Sequence, residues 1–327
     1  MPTGVRPMLA SIGKLPGEPG WSYEVKWDGV RALAYVKEGS VRLESRNLKD
    51  FTPRYPEVVG EGAVPPALAG HQMLLDGEVV GFDENGRVSF GALQHRMHLT
   101  SAGDVRGRMA THPVAFMVFD VLWVDGEDLT RLPYEERRDR LELLELSAGL
   151  WQVPPAVWDS PEDGEDLLEA SRLQGLEGIV AKRLGSVYEP GKRSRAWLKI
   201  KNQQRQELVI GGWLPGAGNR TNTLGAILTG YHLPDGGLHY AGRVGTGFTW
   251  AVLRDLLGKL EPLERDDSPF VDNPRLPQAR WVEPRLVAEV GFSEWTGGGT
   301  LRHPVYLGLR DDTDPAQVVR EPVMGEN

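Results

Sequence analysis

A lysine flanked by acids is the feature of this sequence that most directly suggests chemistry. It lies in the segment EVKWDGVR, residues 24–31, and in an extended chain Glu24, Lys26 and Asp28 point to one face because side chains alternate. A surface salt bridge accounts for most such lysines, and Gly29 fits an ordinary turn. The alternative is a nucleophilic amine, which must first lose a proton held with an ordinary pKa of about 10.4. Neighbouring positive charge and desolvation are expected to lower that pKa.

Four further sets of polar residues follow, each beside residues that favour strands. The segment LDGEVV (75–80) places two acids on one strand face, and FMVFDV (116–121) ends an apolar strand with an aromatic residue and an acid. EGIVAK (177–182) has an acid and a lysine at its ends, and WLKIK (197–201) has two lysines on one face. Each set is weak by itself, but the ordered series predicts one shared site. Its members are Asp76, Glu78, Phe119, Asp120, Glu177, Lys182, Lys199 and Lys201.

Some of these residues have structural alternatives, and several kinds of site are excluded. Phe119 also fits core packing, and Asp76 and Asp120 also fit the capping of turns. The seven histidines show no zinc-ligand spacing. The sequence lacks Gly-x-x-x-x-Gly-Lys-Ser/Thr, which excludes a P-loop ATPase. It contains no cysteine, which excludes disulfides and thiolate nucleophiles.

The elements that must position these residues indicate an α+β chain in two domains. Short strands alternate with helices up to about residue 203, and further strands with one helix follow, which suits a small β-barrel of the OB type. The expected domains are 1–203 and 204–327. Predicted strands are Trp21–Val25, Arg31–Val36, Val41–Glu44, Met73–Phe82, Val114–Trp123, Ile179–Lys182, Ala196–Ile200, Leu208–Trp213, Leu224–Leu233, His239–Val244 and Leu286–Trp295. Predicted helices are Pro133–Leu146, Glu162–Gln174 and Trp250–Leu260.

The ordered motifs resemble the covalent nucleotidyltransferases: ATP-dependent DNA ligases, RNA ligases and mRNA-capping guanylyltransferases. The match spans nearly the whole chain, from Pro7 to Asp312. Three C-terminal segments, YAGRVGTGF (240–248), EWT (294–296) and LRHP (301–304), resemble the ligase domain of bacterial ligase D and its stand-alone relatives. The resemblance implies an adenylyltransferase domain of the nucleotidyltransferase (ATP-grasp-like) fold, with antiparallel sheets and flanking helices, followed by an OB-fold barrel.

The resemblance also implies a reaction in three steps. A lysine amine attacks the α-phosphate of ATP and forms lysyl-AMP, the AMP passes to a DNA 5′-phosphate, and the 3′-hydroxyl displaces it to seal the nick. Lys26 matches the nucleophile, Asp28 the acid that orients it, and Lys199 and Lys201 the lysines that neutralise the triphosphate. A divalent ion, Mg²⁺ or Mn²⁺, is implied at Glu177 and Glu78. The implied nucleotide contacts are Glu24 to adenine, Phe119 stacked on adenine, Glu78 to the ribose, and Arg31, Arg46, Lys182 and Arg96 to the nucleotide or its phosphates.

One element departs from the family pattern. Ligases carry an Arg-x-Asp-Lys element near the C-terminus that orients the pyrophosphate of ATP. Here Arg310, Asp311 and Asp312 are followed by Thr313. Arg310 is still expected to contact the nucleotide, but the missing ammonium leaves open how efficiently the chain adenylylates itself.

The overall charge opposes a simple DNA-binding protein. The 327 residues carry 37 Lys+Arg and 46 Asp+Glu, a net charge of −9, whereas nucleic-acid binders are usually basic. Phosphate contacts need only a local positive path, and residues 192–205 contain no acid. We therefore expect DNA contacts along this run, together with Arg31. The basic residues of the run are Lys192, Arg193, Arg195, Lys199, Lys201 and Arg205.

These observations together predict an ATP-dependent DNA ligase of DNA repair and recombination. Nicked or broken double-stranded DNA is the expected substrate, and the resemblance suggests non-homologous end joining with the end-binding protein Ku as a partner. The absence of an apolar membrane span and of an export signal predicts a cytoplasmic protein. The resemblance implies a bacterial, nucleoid-associated one, and we expect a monomer. An RNA ligase or capping-type enzyme, and a non-catalytic DNA-end-binding relative, remain as alternatives.

Overall fold

Residues 1–158, 160–218, 221 and 223–321 are described by a computed structural model. Contacts divide the chain into the units Met1–Asn202 and Gln203–Asn327, one residue from the division expected from the sequence. In the first unit the strands are β1 (Leu9–Ile12), β2 (Trp21–Val25), β3 (Val30–Lys37), β4 (Ser40–Ser45), β5 (Gln72–Gly81), β6 (Val114–Val124), β7 (Glu127–Asp128), β8 (Trp151–Gln152), β9 (Gly178–Arg183) and β10 (Arg193–Lys201). The helices are α1 (Pro56–Val59), α2 (Phe90–Met97), α3 (Ala102–Met109), α4 (Tyr134–Leu143) and α5 (Pro161–Leu173).

The first sheet of this unit separates charged from apolar residues on its two faces. Its strand order is β1-β10-β9-β2, with β1 parallel to β10 and the other pairs antiparallel. Glu24 lies opposite Val180, and Val180 lies opposite Lys199, so these residues share a face. Lys182 and Lys201 fall on the same face because each lies two residues from a member of that row.

The opposite face of this sheet is apolar and is covered by α5. Tyr23, Ile179 and Ile200 are buried there and pack against Leu167 and Leu168 of the helix. Ser160 caps the helix in a reciprocal capping box, which satisfies backbone donors of the first turn. Burial of this face is the physical reason that the charged residues are confined to the other one.

The second sheet has the strand order β4-β3-β5-β6-β7, with β8 paired parallel to β6. One face forms the main apolar core of the unit with α1, α2 and the segment after α4. The other face carries Arg31, which lies opposite Glu78 in the register. Next to Arg31, Leu33 and Phe119 pack with Trp197 of the first sheet in a smaller cluster. The two sheets therefore face each other, with the charged residues between them.

The second unit is built from strands and one helix, as expected. Among the described residues its strands are β11 (Arg205–Pro215), β12 (Leu224–His232), β13 (Leu238–Val244), β14 (Glu264–Arg265), β15 (Arg280–Gly291), β16 (Glu294–Trp295), β17 (Leu301–Arg302) and β18 (Val305–Arg310), and its helix is α6 (Trp250–Leu260). The strand order is β13-β12-β11-β15-β14, with β18 also paired to β15 and a separate β16–β17 hairpin.

This architecture is consistent with the expected OB fold. Pairing between the described residues leaves the sheet as an open path rather than a closed ring. Leu253, Leu256 and Leu260 place one apolar face of α6 on the sheet, and Thr249 caps the helix by accepting from the Val252 N–H. The helix has the bounds that the sequence predicts.

The predicted elements recur with small differences in length, and the three helices α1, α2 and α3 were not predicted. The strand β2 has its predicted bounds, whereas α4 ends three residues before the predicted Leu146. The predicted strand Leu286–Trp295 is a longer strand, β15, followed by the short β16. The helices α2 and α3 lie in a polar stretch in which apolar residues are sparse, so their periodicity is weak. The α+β class is confirmed.

Candidate active site

Lys26 lies where the ends of three neighbouring strands meet. It follows β2, and its backbone N–H donates to the Gly178 carbonyl over 2.9 Å. Glu177 directly precedes β9, and Lys201, the last residue of β10, lies opposite Gly178. The antiparallel register therefore brings together Lys26, Glu177 and Lys201, although Lys26 and Glu177 are 151 residues apart in the sequence.

The Lys26 ammonium is paired with the carboxylate of Glu177. The other oxygen of that carboxylate lies 3.9 Å from the Lys201 ammonium. The side chains of Lys26 and Glu177 are 23% and 4% exposed. Burial lowers the pKa of Lys26, but the negative charges of Glu177, Glu78 and Asp28 outweigh burial and hold the pKa above its ordinary value. The expected lowering of the pKa is thus wrong for this arrangement, because a carboxylate and not a cation is the nearest neighbour of the amine.

Two glycines permit the close approach of the segments around Lys26. Gly178 has φ of +144°, and a Cβ there would lie 2.0 Å from the Ile200 carbonyl oxygen. A Cβ on Gly29 would lie 2.1 Å from the Val79 carbonyl oxygen. Both positions therefore require glycine. Gly29 is needed because the loop after Lys26 lies against β5, which is a stronger constraint than the turn that the sequence suggests.

The raised pKa of Lys26 predicts a pH effect that can be measured without any ligand. Removing the charge of Glu177 should lower this pKa, because burial then acts against fewer carboxylates. In Glu177→Gln the Lys26 amine should therefore become reactive at lower pH than in the unaltered protein. Competitive amine labelling followed by mass spectrometry, over about pH 7 to 11 around the ordinary lysine pKa, measures this. Exposed Lys37 is the internal control, and an unmoved Lys26 profile would contradict the assignment.

A second ion pair, between Glu24 and Lys182, lies deeper on the same sheet face. The Lys182 ammonium donates to Glu24 Oε1 over 2.7 Å and to the Phe119 carbonyl over 3.2 Å. Three aromatic rings surround it, with their centroids 4.7, 5.0 and 4.5 Å from Nζ for Phe119, Tyr134 and Trp197. Such contacts favour the cation, yet burial still lowers the pKa of Lys182.

Tyr134 joins this pair and was not predicted from the sequence. It is the first residue of α4, and its hydroxyl donates to Glu24 Oε1. Burial and the negative charge of Glu24 raise the pKa of Tyr134 well above its ordinary value. The hydroxyl therefore stays protonated and remains a donor. The sequence around Tyr134 carries only the signal of a helix start after Pro133.

Arg31 is held by a buried carboxylate. Its guanidinium donates to both oxygens of Asp76, over 2.5 and 2.6 Å, and the Tyr188 hydroxyl donates to Asp76 over 2.6 Å. The guanidinium also lies 4.6 Å from the centroid of the Phe119 ring. Asp76 thus orients Arg31. The Phe119 ring thus lies close to two cations, Arg31 and Lys182.

Asp120 has a structural role. It accepts two hydrogen bonds from Arg137, over 2.8 and 2.9 Å, and both side chains are fully buried. Arg137 also donates to the carbonyls of Leu132 and Ser186. The pair fastens α4 to β6 and so fixes the position of Tyr134. Of the two roles that the sequence left open for Asp120, the structural one accounts for its contacts.

The remaining predicted residues of the nucleotide site lie around these pairs. Asp28 is half-buried in the loop between β2 and β3, and Glu78 is half-buried on β5; the negative charge of each acts on Lys26. Lys199 lies on β10 in the row with Glu24. Arg46 follows β4 directly and is half-buried.

Arg96 lies elsewhere, and its placement does not support the phosphate contact expected from the resemblance. Its side chain is fully buried and pairs with Glu57 over 2.6 Å. It also donates to the carbonyls of His112 and Arg54, over 3.0 and 2.9 Å. These contacts fasten α2 to the segments before and after it. A buried arginine held by these contacts supports the core rather than a ligand.

The basic run does not form one continuous patch. Lys192, Arg193 and Arg195 are exposed at the beginning of β10, and the Arg193 guanidinium donates to the Ala10 carbonyl. Lys201 ends the same nine-residue strand, about 26 Å from Arg193 at the usual rise per residue. Arg205 belongs to β11 of the second unit. The expectation of a single path along residues 192–205 is therefore corrected. The basic residues of this run lie at the two ends of β10, and Arg205 lies in the second unit.

Arg310 is enclosed by carboxylates within the second unit. Its guanidinium donates to both oxygens of Asp312, over 3.0 and 2.9 Å, and to Glu289 over 3.2 Å. Glu207 lies 3.8 Å away and accepts from the Thr313 hydroxyl over 2.8 Å. The Arg310 side chain is only 12% exposed. Thr313, where ligases carry lysine, thus holds one of the acids around Arg310.

The donors near Lys26 fit a Mg²⁺ ion bound together with a substrate. The described residues contain no group of three or more histidines and acids that could hold a metal by themselves. Mg²⁺ in nucleotide sites usually takes one or two carboxylates and completes its shell with water and substrate phosphates. Glu177 and Glu78, whose charges both act on Lys26, are hard oxygen donors of this kind.

Comparison with known families identifies the chain. Residues 7–201 match the family described as the ATP dependent DNA ligase domain, and residues 220–313 match the ATP dependent DNA ligase C terminal region. The chain belongs to the ATP-dependent DNA ligases. One match falls in each structural unit.

Relatives from several organisms show similarity over nearly the whole chain. The sequence is 41% identical to the multifunctional non-homologous end joining protein LigD of Mycolicibacterium smegmatis, over 98% of this chain and 40% of that protein. It is 33% identical to a DNA ligase of Thermococcus fumicolans, over 96% of this chain and 57% of that protein. The chain thus spans about 40% of the length of the LigD proteins that it matches.

Solved ligase structures share the fold. A mycobacterial DNA ligase D complexed with ATP and MES aligns with a TM-score of 0.68 at 39% identity, over 97% of this chain and 98% of that one. The ligase domain of LigD from M. tuberculosis aligns with a TM-score of 0.52 at 40% identity, over the same shares. None of the helices formed by the described residues is long and apolar enough to span a bilayer.

Proposed function

We propose that this ligase seals nicks in double-stranded DNA through a lysyl-AMP formed on Lys26. The observation that carries the proposal is the placement of one lysine amine among Glu177, Lys201 and the acids Glu78 and Asp28. An amine in this position has a carboxylate to hold it, a cation beside it to attract phosphates, and oxygen donors for a metal. A lysine in a simple surface salt bridge would lack the neighbouring cation and the oxygen donors for a metal.

In the first step the Lys26 amine, once it has lost a proton, attacks the α-phosphorus of ATP. The new bond joins Nζ to phosphorus, and pyrophosphate leaves with the electrons of the broken P–O bond. A 5′-phosphate oxygen of the DNA then attacks the same phosphorus, and the lysine leaves. Finally the 3′-hydroxyl attacks the 5′-phosphate, and AMP leaves.

The proposed roles follow from position in the site. Lys201 and Lys199 neutralise the triphosphate, and Asp28 orients the amine and later the attacking hydroxyl. Glu177 and Glu78 would hold a divalent ion, which would supply positive charge beside the phosphates. Glu177, whose negative charge raises the pKa of Lys26, would then hold the amine less tightly.

The nucleotide is held, in this proposal, by residues that include the ion pairs Lys182–Glu24 and Arg31–Asp76. Glu24 accepts from the adenine amino group, Phe119 stacks on the base, and Glu78 contacts the ribose. Arg31, Arg46 and Lys182 contact the phosphates. Binding therefore exchanges the Lys182–Glu24 and Arg31–Asp76 contacts in part for nucleotide contacts.

Arg310 is proposed to contact the pyrophosphate, which requires its release from Asp312, Glu289 and Glu207. Each carboxylate favours the enclosed state of the guanidinium, so release costs free energy. The family lysine at position 313 would supply a further positive charge. With Thr313 in its place, we expect slow self-adenylylation relative to sealing.

DNA binding is proposed to use Lys192, Arg193 and Arg195, with Arg31 and Arg205. Changing the first three to glutamine together should weaken binding of nicked DNA. The slope of log K against log salt should fall by about 0.9 for each DNA phosphate that is no longer neutralised, roughly 3 in all. Fluorescence anisotropy over a salt series measures this. The matched control changes three other exposed arginines together to glutamine, Arg87, Arg106 and Arg108. Equal effects of the two triple changes would contradict the assignment of DNA binding to Lys192, Arg193 and Arg195.

The proposal is tested by following AMP from ATP to DNA. The unaltered protein, incubated with α-labelled ATP and Mg²⁺, should become covalently labelled, and the label should pass to nicked DNA and leave as AMP on sealing. A nicked RNA duplex is the control for an RNA-joining enzyme. Labelling followed by transfer only to RNA would overturn the DNA assignment. DNA binding with neither labelling nor sealing of pre-adenylylated nicks would favour the non-catalytic end-binding alternative.

We further propose that the chain works in double-strand-break repair by end joining. Support comes from the LigD relatives, whose name describes that process, and from identity over nearly the whole of this chain. A Ku-type end-binding protein is the proposed partner, and the bacterial nucleoid is the proposed location. Joining of linear duplexes with and without added Ku tests this directly, and no stimulation by Ku would contradict the partnership.

A further inference from the structure

The hydroxyl of Tyr134 and the ammonium of Lys182 converge on one oxygen of Glu24. Glu24 is 5% exposed and Lys182 2%, so both hydrogen bonds are shielded from water. Two donors on one oxygen fix the orientation of the Glu24 carboxylate, and hydrogen bonds to a charged group are the stronger kind.

An ionised carboxylate is an acceptor only. It accepts from the 6-amino group of adenine, whereas it repels the 6-oxo group of guanine, which is itself an acceptor. The orientation of the Glu24 carboxylate toward the base therefore decides how strongly it favours adenine.

We propose that Tyr134 is a positioning residue that makes Glu24 select adenine over other purines. The inference rests on the proposed function, in which Glu24 contacts the base. Tyr134 acts through Glu24 and does not itself touch the nucleotide. Its position is fixed from outside the site, since Arg137, one turn further along α4, is bound to Asp120 of β6.

The hydroxyl and the ring of Tyr134 have different contacts, so their roles can be tested separately. The ring lies 5.0 Å from the Lys182 ammonium and helps to enclose it, and the side chain is fully buried. Tyr134→Phe keeps the ring and that enclosure and removes only the donor to Glu24. The variant therefore tests the hydrogen bond rather than the packing.

The experiment compares nucleotides in single-turnover labelling of Lys26. ATP is compared with purine riboside triphosphate, which lacks the 6-amino group, and with GTP. A hydrogen bond to a charged group predicts that the unaltered protein prefers ATP over the purine analogue by about 10-fold or more in kcat/KM. In Tyr134→Phe we expect this ratio to shrink by at least about three-fold, mainly through a higher KM for ATP, and the ATP-to-GTP ratio to fall with it.

The control is Tyr35→Phe, which removes a hydroxyl of another buried tyrosine. That hydroxyl accepts from the Val5 N–H over 3.3 Å and does not contact Glu24, so both nucleotide ratios should be unchanged. Each ratio is measured within one preparation, and a smaller folded fraction of a variant therefore cancels. Unchanged ratios in Tyr134→Phe, or equal use of ATP and the purine analogue by the unaltered protein, would overturn the inference. Absence of labelling by any nucleotide would instead overturn the proposed function.

Discussion

Replacing Lys26 with alanine is expected to abolish covalent labelling by α-labelled ATP, a loss of at least about 1000-fold, as for removal of other catalytic nucleophiles. The amine is the atom that forms the bond to phosphorus, and Lys201, the neighbouring cation, is held at 3.9 Å from Glu177 rather than in the position of Lys26. Lys26→Arg should fail as well, because a guanidinium keeps its proton at any pH compatible with folding. Gel separation of the labelled protein after a short incubation measures the loss.

Two comparisons make this result specific. Lys37, exposed at the end of β3, changed to alanine, should leave labelling unaltered. Lys26→Ala should still bind nicked DNA, because the proposed DNA contacts at the beginning of β10 remain. Labelling of the Lys26→Ala protein at the rate of the unaltered one would show that another residue is the nucleophile, and peptide mapping of the label would then locate it.

Asp120→Asn is expected to cause a large loss in the free energy of unfolding. Asp120 and Arg137 are fully buried and joined by two hydrogen bonds. Removing the negative charge leaves a guanidinium in a low-dielectric interior without its counter-ion. Breaking a buried pair from one side typically costs about 3–5 kcal/mol in the free energy of unfolding. Urea unfolding followed by tryptophan fluorescence measures it.

An exposed ion pair on the same elements is the matched control. Arg140 of α4 lies 3.6 Å from Glu127 of β7, and the two side chains are 54% and 55% exposed. Glu127→Gln should therefore cost less than about 1 kcal/mol, because water screens such pairs. If Asp120→Asn cost no more than Glu127→Gln, the pair would not be what fastens α4 to β6, and the fixed position of Tyr134 would need another explanation.

The net charge of −9 says little about this site, because its charges are balanced locally. Lys26 pairs with Glu177, Lys182 with Glu24, and Arg31 with Asp76. Phosphates must therefore compete with carboxylates that are already in contact with the cations. We expect nucleotide affinity to depend on the metal for this reason, since a divalent ion at Glu177 removes one of the competing acids.

Local patterns were enough to predict most elements of the fold. Strand-forming runs of residues predicted β2 and β6 to within a residue, and α6 was predicted with its observed bounds. These signals are local because each depends on neighbours within a few residues. Residues 90–109 lack such a pattern, and α2 and α3 were missed there. The helices depend on burial of scattered residues such as Phe90 and Val105, which only the packed chain provides.

The residue types of the candidate site were predictable, but their partners were not. Lys26, Glu177 and Lys201 were singled out by their order in the chain and by the resemblance that this order carries. That the amine is held by Glu177, with a raised pKa, depends on the register of three strands. The partners of Arg96 were not predictable either. Its place in the sequence suggested a phosphate contact, but the side chain is buried against Glu57 and two carbonyls.

The sequence by itself determined the two-part organisation, the α+β class and the family, because periodicity, composition shifts and motif order are properties of the chain alone. Only the tertiary structure decided which charges meet. It divided the basic run between the two ends of β10, enclosed Arg310 among acids, and added Tyr134 to the Glu24–Lys182 pair. The physical reason is that a pKa, an ion pair and a shared hydrogen-bond acceptor depend on distances of a few ångströms. Those distances are set by strand register and helix packing across more than a hundred residues of chain.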